Sequence, residues 1–180
     1  RSTWNGQSWT TYLMGMNADG GGEFQVVRVD QGTAGSVPTG TLVVPGDGTV
    51  IFTRSRGAAT ATGNGIWRVS ITSDDIDQVL VPPAGSQAVP ALSAVSPSGG
   101  DLLVLIPGGV SNGTQVPTFA HVDEAGQIRL LVRTGGDTGA GRAVAATFSP
   151  DGQSIIYMWE PEPGASREVV RRSLVNGSEV

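Results

Sequence analysis

Short apolar runs, each broken after about six residues by glycine, proline, asparagine or aspartate, recur along the whole chain. Residues 66–71 show the pattern most clearly: Trp67, Val69 and Ile71 fall on one face and Arg68 and Ser70 on the other, the period-two signature of a β-strand. Upstream, residues 39–44 and 49–54 flank Pro45-Gly46-Asp47-Gly48, residue types that suit a tight turn, so the two runs form a hairpin. Downstream, residues 72–75 turn the chain into a run over 76–81 that ends at Pro82-Pro83. Four strands therefore fill one repeat.

The same order returns twice. Strands are predicted over residues 91–96, 101–106, 118–123 and 128–133, then over 143–149, 154–159 and 167–174 with a turn at Asn176-Gly177. Residues 10–16 and 24–29, joined by Asn17-Ala18-Asp19-Gly20-Gly21-Gly22, take the third and fourth places of a first repeat. Phe24, Ile76, Ile128 and Val180 stand fifty-two residues apart, each at the opening of a fourth strand. A period of this size belongs to repeat architectures, and no 3.6-residue apolar stripe supports a helical repeat. A β-sandwich could use similar strands but would not explain the constant step.

The predicted fold is all-β: a β-propeller-like array of four-stranded antiparallel blades, about three and a half repeats of fifty-two residues in one segment of a larger propeller. The repeats run approximately over 1–37, 38–89, 90–141 and 142–180, so the array is expected to begin and end inside a repeat.

Phe148-Ser149-Pro150-Asp151-Gly152-Gln153-Ser154-Ile155-Ile156-Tyr157 resembles the repeat of TolB-type propellers, in which a Ser-Pro-Asp-Gly turn feeds an apolar second strand. Ser96-Pro97-Ser98-Gly99-Gly100 is a partial copy, and Pro45-Gly46-Asp47-Gly48 a weaker one. In that family the motif is a structural turn, so it speaks for fold and not for ligand. The resemblance implies an extracytoplasmic sensor, scaffold or envelope-assembly role. The Trp-Asp dipeptide of tryptophan-aspartate repeats is missing, as is the double glycine that opens a kelch strand.

Composition narrows the function further. Eleven arginines and no lysine face sixteen acids, a net charge of −5 that argues against a nucleic-acid partner. The absence of lysine beside abundant Gly, Ala, Val and Arg fits a GC-rich prokaryotic gene. No apolar run approaches the roughly 18 residues of a membrane span. With no cysteine and one histidine, the chain offers no zinc set, and no cofactor is expected. Asn17-Ala18-Asp19-Gly20 and Asp74-Asp75-Ile76-Asp77 hold oxygen ligands but lack the spacing of a calcium loop, so tight-turn acids are the reading and no metal is expected.

Gly109-Val110-Ser111-Asn112-Gly113 matches the pattern of a hydrolase nucleophile, but a second strand follows where a nucleophile elbow needs a helix. Ser111 and His121 are therefore read as a loop serine and a structural imidazole. What remains is an asymmetry of turns. One rim carries tight turns, whereas residues 55–64, 82–90, 107–117, 134–142 and 160–166 form longer loops on the other, where binding groups collect. The candidate ligand contacts there are Arg54, Arg56, Asn64, Asn112, Gln115, Asp137, Arg142, Trp159, Glu160 and Glu162, with Trp159 able to stack on a sugar or peptide. The expected function is non-catalytic binding of a protein, peptide or glycan. The alternatives are a propeller segment controlling access to a larger serine-peptidase-type hydrolase, or a structural repeat that self-associates through uncovered blade edges.

Overall fold

A computed structural model describes residues 1–32, 37–44, 48–55, 63–73, 75–81, 89–111, 114–131, 141–162 and 164–180. These residues form fourteen strands in four antiparallel sheets, with no helix among them. Contacts divide the chain into two compact units, Arg1–Val89 and Pro90–Val180.

In the first unit, β1 (Ser2–Trp4), β2 (Trp9–Met16) and β3 (Glu23–Gly32) make a three-stranded sheet in that order. The strand β1 was not foreseen; its cue is the register pair Trp4 and Trp9, whose rings lie 5.4 Å apart. The second sheet runs β4 (Val37–Val44), β5 (Thr49–Ser55), β6 (Gly65–Ser70) and β7 (Ile76–Leu80). Val50, Ile51, Phe52, Thr53 and Arg54 are all buried in succession, so β5 is covered on both faces. Val50, Phe52 and Val69 form the centre of this unit's core, and Leu13 and Val26 of the first sheet pack against them.

In the second unit, β8 (Ala91–Val95), β9 (Leu102–Ser111), β10 (Thr114–Val122) and β11 (Ile128–Leu130) form a four-stranded sheet. β12 (Arg142–Phe148), β13 (Ser154–Glu160) and β14 (Glu168–Ser173) form a three-stranded one. A single bridge between Arg172 and Glu179 adds the start of a further pairing. The core joins the two sheets: Leu103, Phe119 and Leu131 from one meet Phe148, Ile155 and Tyr157 from the other. Removing a buried methylene-rich side chain of this kind costs about 2–5 kcal/mol.

The turn motif explains the register. Gly152 N donates to Ser149 O at 2.9 Å, Ser149 N to Ser154 O at 2.8 Å, and Ser154 N to Ser149 Oγ at 3.0 Å. Asp151 Oδ1 accepts from Ser149 Oγ and from Gln153 N, and Gly152 takes the left-handed φ of 69° that the turn requires. The partial copy at Ser96 repeats the same backbone bonds, with Gly99 N to Ser96 O at 2.9 Å and Ser96 N to Asp101 O at 2.8 Å.

One expectation is overturned. Residues 107–117 are not a long loop, because β9 continues to Ser111 and β10 starts at Thr114. The pairing shifts between Val116 and Thr118, and Pro107 and Pro117 both fall at that irregularity, where a residue without N–H leaves no ladder bond unmade. Prolines that read as loop boundaries in the sequence mark a bulge instead.

Candidate functional site

Each unit carries one cluster of buried polar groups at a sheet end of the long-connection kind. In the first unit Arg54 is the next-to-last residue of β5, opposite Gly65. Its Nε donates to Gly63 O at 2.8 Å, and its guanidinium stacks 3.5 Å from the Trp67 ring centroid. Trp67 Nε1 donates to the same carbonyl at 3.1 Å, and Gln78 Nε2 donates to Asn64 O at 2.7 Å. Gly65 has a φ of 138°, and a Cβ there would collide with Leu80 O, so only glycine lets the chain enter β6 at this point. Arg54 and Asn64 are buried, so both act on the base of the β5–β6 connection.

In the second unit Glu160 ends β13 and is buried. Register places it opposite Arg142, whose Nε donates to Glu160 Oε2 at 2.8 Å. Gly164 N donates to Oε1 at 3.2 Å, and Arg167 Nη2 lies 3.6 Å from the same oxygen. The hydrogen bond from Arg142 holds the Glu160 carboxyl below the usual glutamate range, helped by the Gly164 amide and opposed by desolvation. Trp159 belongs to the core and covers Gly141, where a Cβ would strike its ring. Glu162 is exposed.

Arg142 and Glu160 are thus brought together, with Trp159 in the core beside them in sequence, and Arg54 and Asn64 stand at one sheet end of the other unit. Gln115 lies in β10 opposite Val110. Arg56, Asn112 and Asp137 lie outside the described residues. Sequence reasoning missed Trp67 as the platform for Arg54, and Arg167 as the third member around Glu160. An aromatic two residues into β6 carries no signal for a cation on β5, because the pair forms only across the ladder.

The hydrolase-like serine is far from the histidine. Ser111 pairs with Thr114 and His121 with Leu103, at opposite ends of one hairpin. At about 3.3 Å per residue the seven steps from Thr114 to His121 span roughly 23 Å, which no hydrogen bond bridges. The acids near Asn17 are turn residues: Gly21 N donates to Asp19 Oδ1 at 2.8 Å and Gly20 N to Asn17 O at 2.9 Å. No group of three or more metal-ligating side chains occurs among the described residues. No helix among them is long and apolar enough to cross a membrane.

Small antiparallel meanders packed face to face, with Ser-Pro turns between the first and second strands of both sheets in the second unit, are the blades of a β-propeller. Solved structures share this arrangement. The chain is similar to a puromycin hydrolase mutant complexed with PGG, with a TM-score of 0.58 and 19% identity over 99% of this chain and 26% of that one. It is similar to a protein assigned as TolB from Agrobacterium tumefaciens, with a TM-score of 0.57 and 15% identity over 99% of this chain and 59% of that one. An oligogalacturonate lyase in complex with manganese gives a TM-score of 0.58 and 13% identity over 96% of this chain and 42% of that one. The likeness shows the fold, a TolB-like propeller fold, and the chain spans less than two thirds of each of these proteins. No family model matches the chain, and no curated protein matches it in sequence.

Proposed function

We propose that the chain is a non-catalytic β-propeller module that binds a protein, peptide or glycan with its long-connection sheet ends, as an extracytoplasmic sensor or scaffold in a bacterium. One observation carries the reading. In each unit a buried charged side chain is tied to the backbone of a connection: Arg54 to Gly63 O, and Glu160 to Gly164 N. Gly63 and Gly164 are thereby fixed points at the sheet ends, beside which binding groups can be presented at low entropic cost. The opposite ends carry self-satisfied serine and aspartate turns such as Ser149 to Ser154.

The test is a screen of the 180-residue chain on glycan and peptide arrays, followed by titration of the binders. Arg56→Ala and Arg167→Ala should weaken a true rim ligand by about tenfold or more, the scale of a lost charged contact. Arg68→Ala, on the middle of β6, should leave it unchanged. A saturable ligand indifferent to both rim changes would remove the rim from consideration.

A second reading has its own support: the likeness to a puromycin hydrolase covers only a quarter of that chain, so a segment of this fold can be part of a hydrolase. The chain would then control access while the nucleophile lies elsewhere. If the full gene product is labelled by a serine-reactive fluorophosphonate and hydrolyses aminoacyl p-nitroanilides, this reading replaces the first.

A further inference from the structure

The second unit has a cavity of about 320 Å³ at its tight-turn end, where β10 and β11 face the turn that follows β14. That size lies in the range of small-ligand sites. Its polar lining includes His121, Arg129, Arg172 and Asn176, and its apolar lining Leu131, Ile155 and Leu174. Among the described residues that line it there is no acid, although acids outnumber bases in the chain.

The cations have loose partners and the neighbouring acids have tight ones. Arg129 Nη2 is 3.8 Å from Asp123 Oδ2, and Arg172 Nε is 3.7 Å from Glu179 Oε1, both beyond hydrogen-bond length. Asp123 Oδ1 instead accepts from Gln127 N at 2.8 Å, and Glu179 Oε1 from Tyr157 Oη at 2.9 Å. Asp101 Oδ1 accepts from Glu124 N at 3.1 Å, while its other oxygen stands 3.4 Å from His121 Nε2. His121 is only 7% exposed, and its Nε2 is buried with no hydrogen-bond partner among the described residues. Asp101 Oδ2 is its nearest charged neighbour, and the imidazole forms part of the cavity wall.

We propose that this cavity binds a carboxylate whose adjoining group is apolar, the chemistry shared by a peptide C-terminus ending in leucine and by a free N-acylated amino acid. The guanidiniums of Arg129 and Arg172 supply planar donor pairs suited to a carboxylate. His121 stands at the cavity wall beside them. Leu174, half-buried, and Val175, exposed, offer the apolar surface against which the side chain packs, with Leu131 and Ile155 forming the buried layer behind them. Two-thirds of the Arg129 side chain is exposed, so it closes over the ligand from the mouth, whereas that of Arg172, only 21% exposed, is already placed.

The experiment is a titration of the 180-residue chain with N-acetyl-leucine and with an acetylated tripeptide ending in leucine, each paired with its C-terminal amide. Saturable binding of either acid is expected, weakened about tenfold or more in the amide, in Arg172→Gln and in Arg129→Gln, which corresponds to one charge-assisted hydrogen bond. Binding of the tripeptide alone identifies a peptide terminus; binding of both identifies the free carboxylate as sufficient. Arg68→Gln, another loosely paired arginine but outside the cavity, should bind as the parent does. Thermal melts of each variant separate lost binding from lost folding. The proposal is overturned if neither acid binds, if acid and amide bind alike, or if both well-folded cavity variants keep the parent affinity.

Discussion

At the residue scale, the two buried charged groups do different work from the one their exposed sequence neighbourhood implies. Arg54 sits next to an expected loop, yet its guanidinium lies on Trp67 and its Nε on Gly63 O. Arg54→Ala should therefore lower stability by about 1–2 kcal/mol through the lost stacking and hydrogen bond, read as a shift in the urea midpoint. An unchanged midpoint would return Arg54 to the role of a free ligand contact. Glu160 makes a pH prediction of definite sign. Its folded carboxyl is depressed by the Arg142 bond, so the stability it contributes is present above the ordinary glutamate value of 4.5 and is lost as pH falls through the folded value. Asp151 is depressed by the Ser149 hydroxyl and acts in the same direction. The melting temperature should fall on acidification from about pH 5 to about pH 3. Glu160→Gln should start lower at neutral pH and fall less steeply than the parent. Equal slopes would show that Glu160 gains nothing from its partners. Arg142 and Glu160 were both legible as candidates, since each stands beside a predicted strand end. Their pairing was not, because eighteen residues separate them and only the β12–β13 register brings them opposite.

At the element scale, the turn is the most legible unit of the chain. Ser149-Pro150-Asp151-Gly152 satisfies its own backbone within six residues, so composition alone is enough to place it. The copy at Ser96 has the same backbone bonds but a serine where the carboxylate stands, with Ser98 Oγ 3.1 Å from Ser96 Oγ. Ser98→Asp should complete it and raise stability by about 0.5–1 kcal/mol, because a carboxylate accepts from hydroxyl and amide more strongly than a hydroxyl does. A drop in the denaturation midpoint would mean that the Ser96 turn lacks room for the larger group. The β9–β10 hairpin shows where local reading stops. Pro107, Gly108, Gly109 and Pro117 are breakers by composition, but the ladder of neighbours carries the strands through them and confines the irregularity to one bulge. Strand propensity is weak against a register already set on both sides.

At the scale of the whole molecule, each unit holds its own core, and residues 90–180 gather nine buried residues from both of their sheets. That segment expressed alone should show an all-β circular dichroism spectrum and a cooperative melt; a spectrum of unfolded chain would show that its core is insufficient. The sequence by itself determined the fold class, the fifty-two-residue step, the four-strand order and the tight turns, because all of these rest on alternation and on turn residues that act within a few positions. Phe24, Ile76 and Ile128 lie at the openings of β3, β7 and β11, and Val180 bonds Arg171 at the corresponding place. Only the tertiary structure decided which charges are buried, which arginine meets which carboxylate, and that His121, Arg129 and Arg172 share one cavity. Those relations depend on strands paired across the sheet and on turns facing one another between sheets, and no spacing along the chain encodes the distance between them.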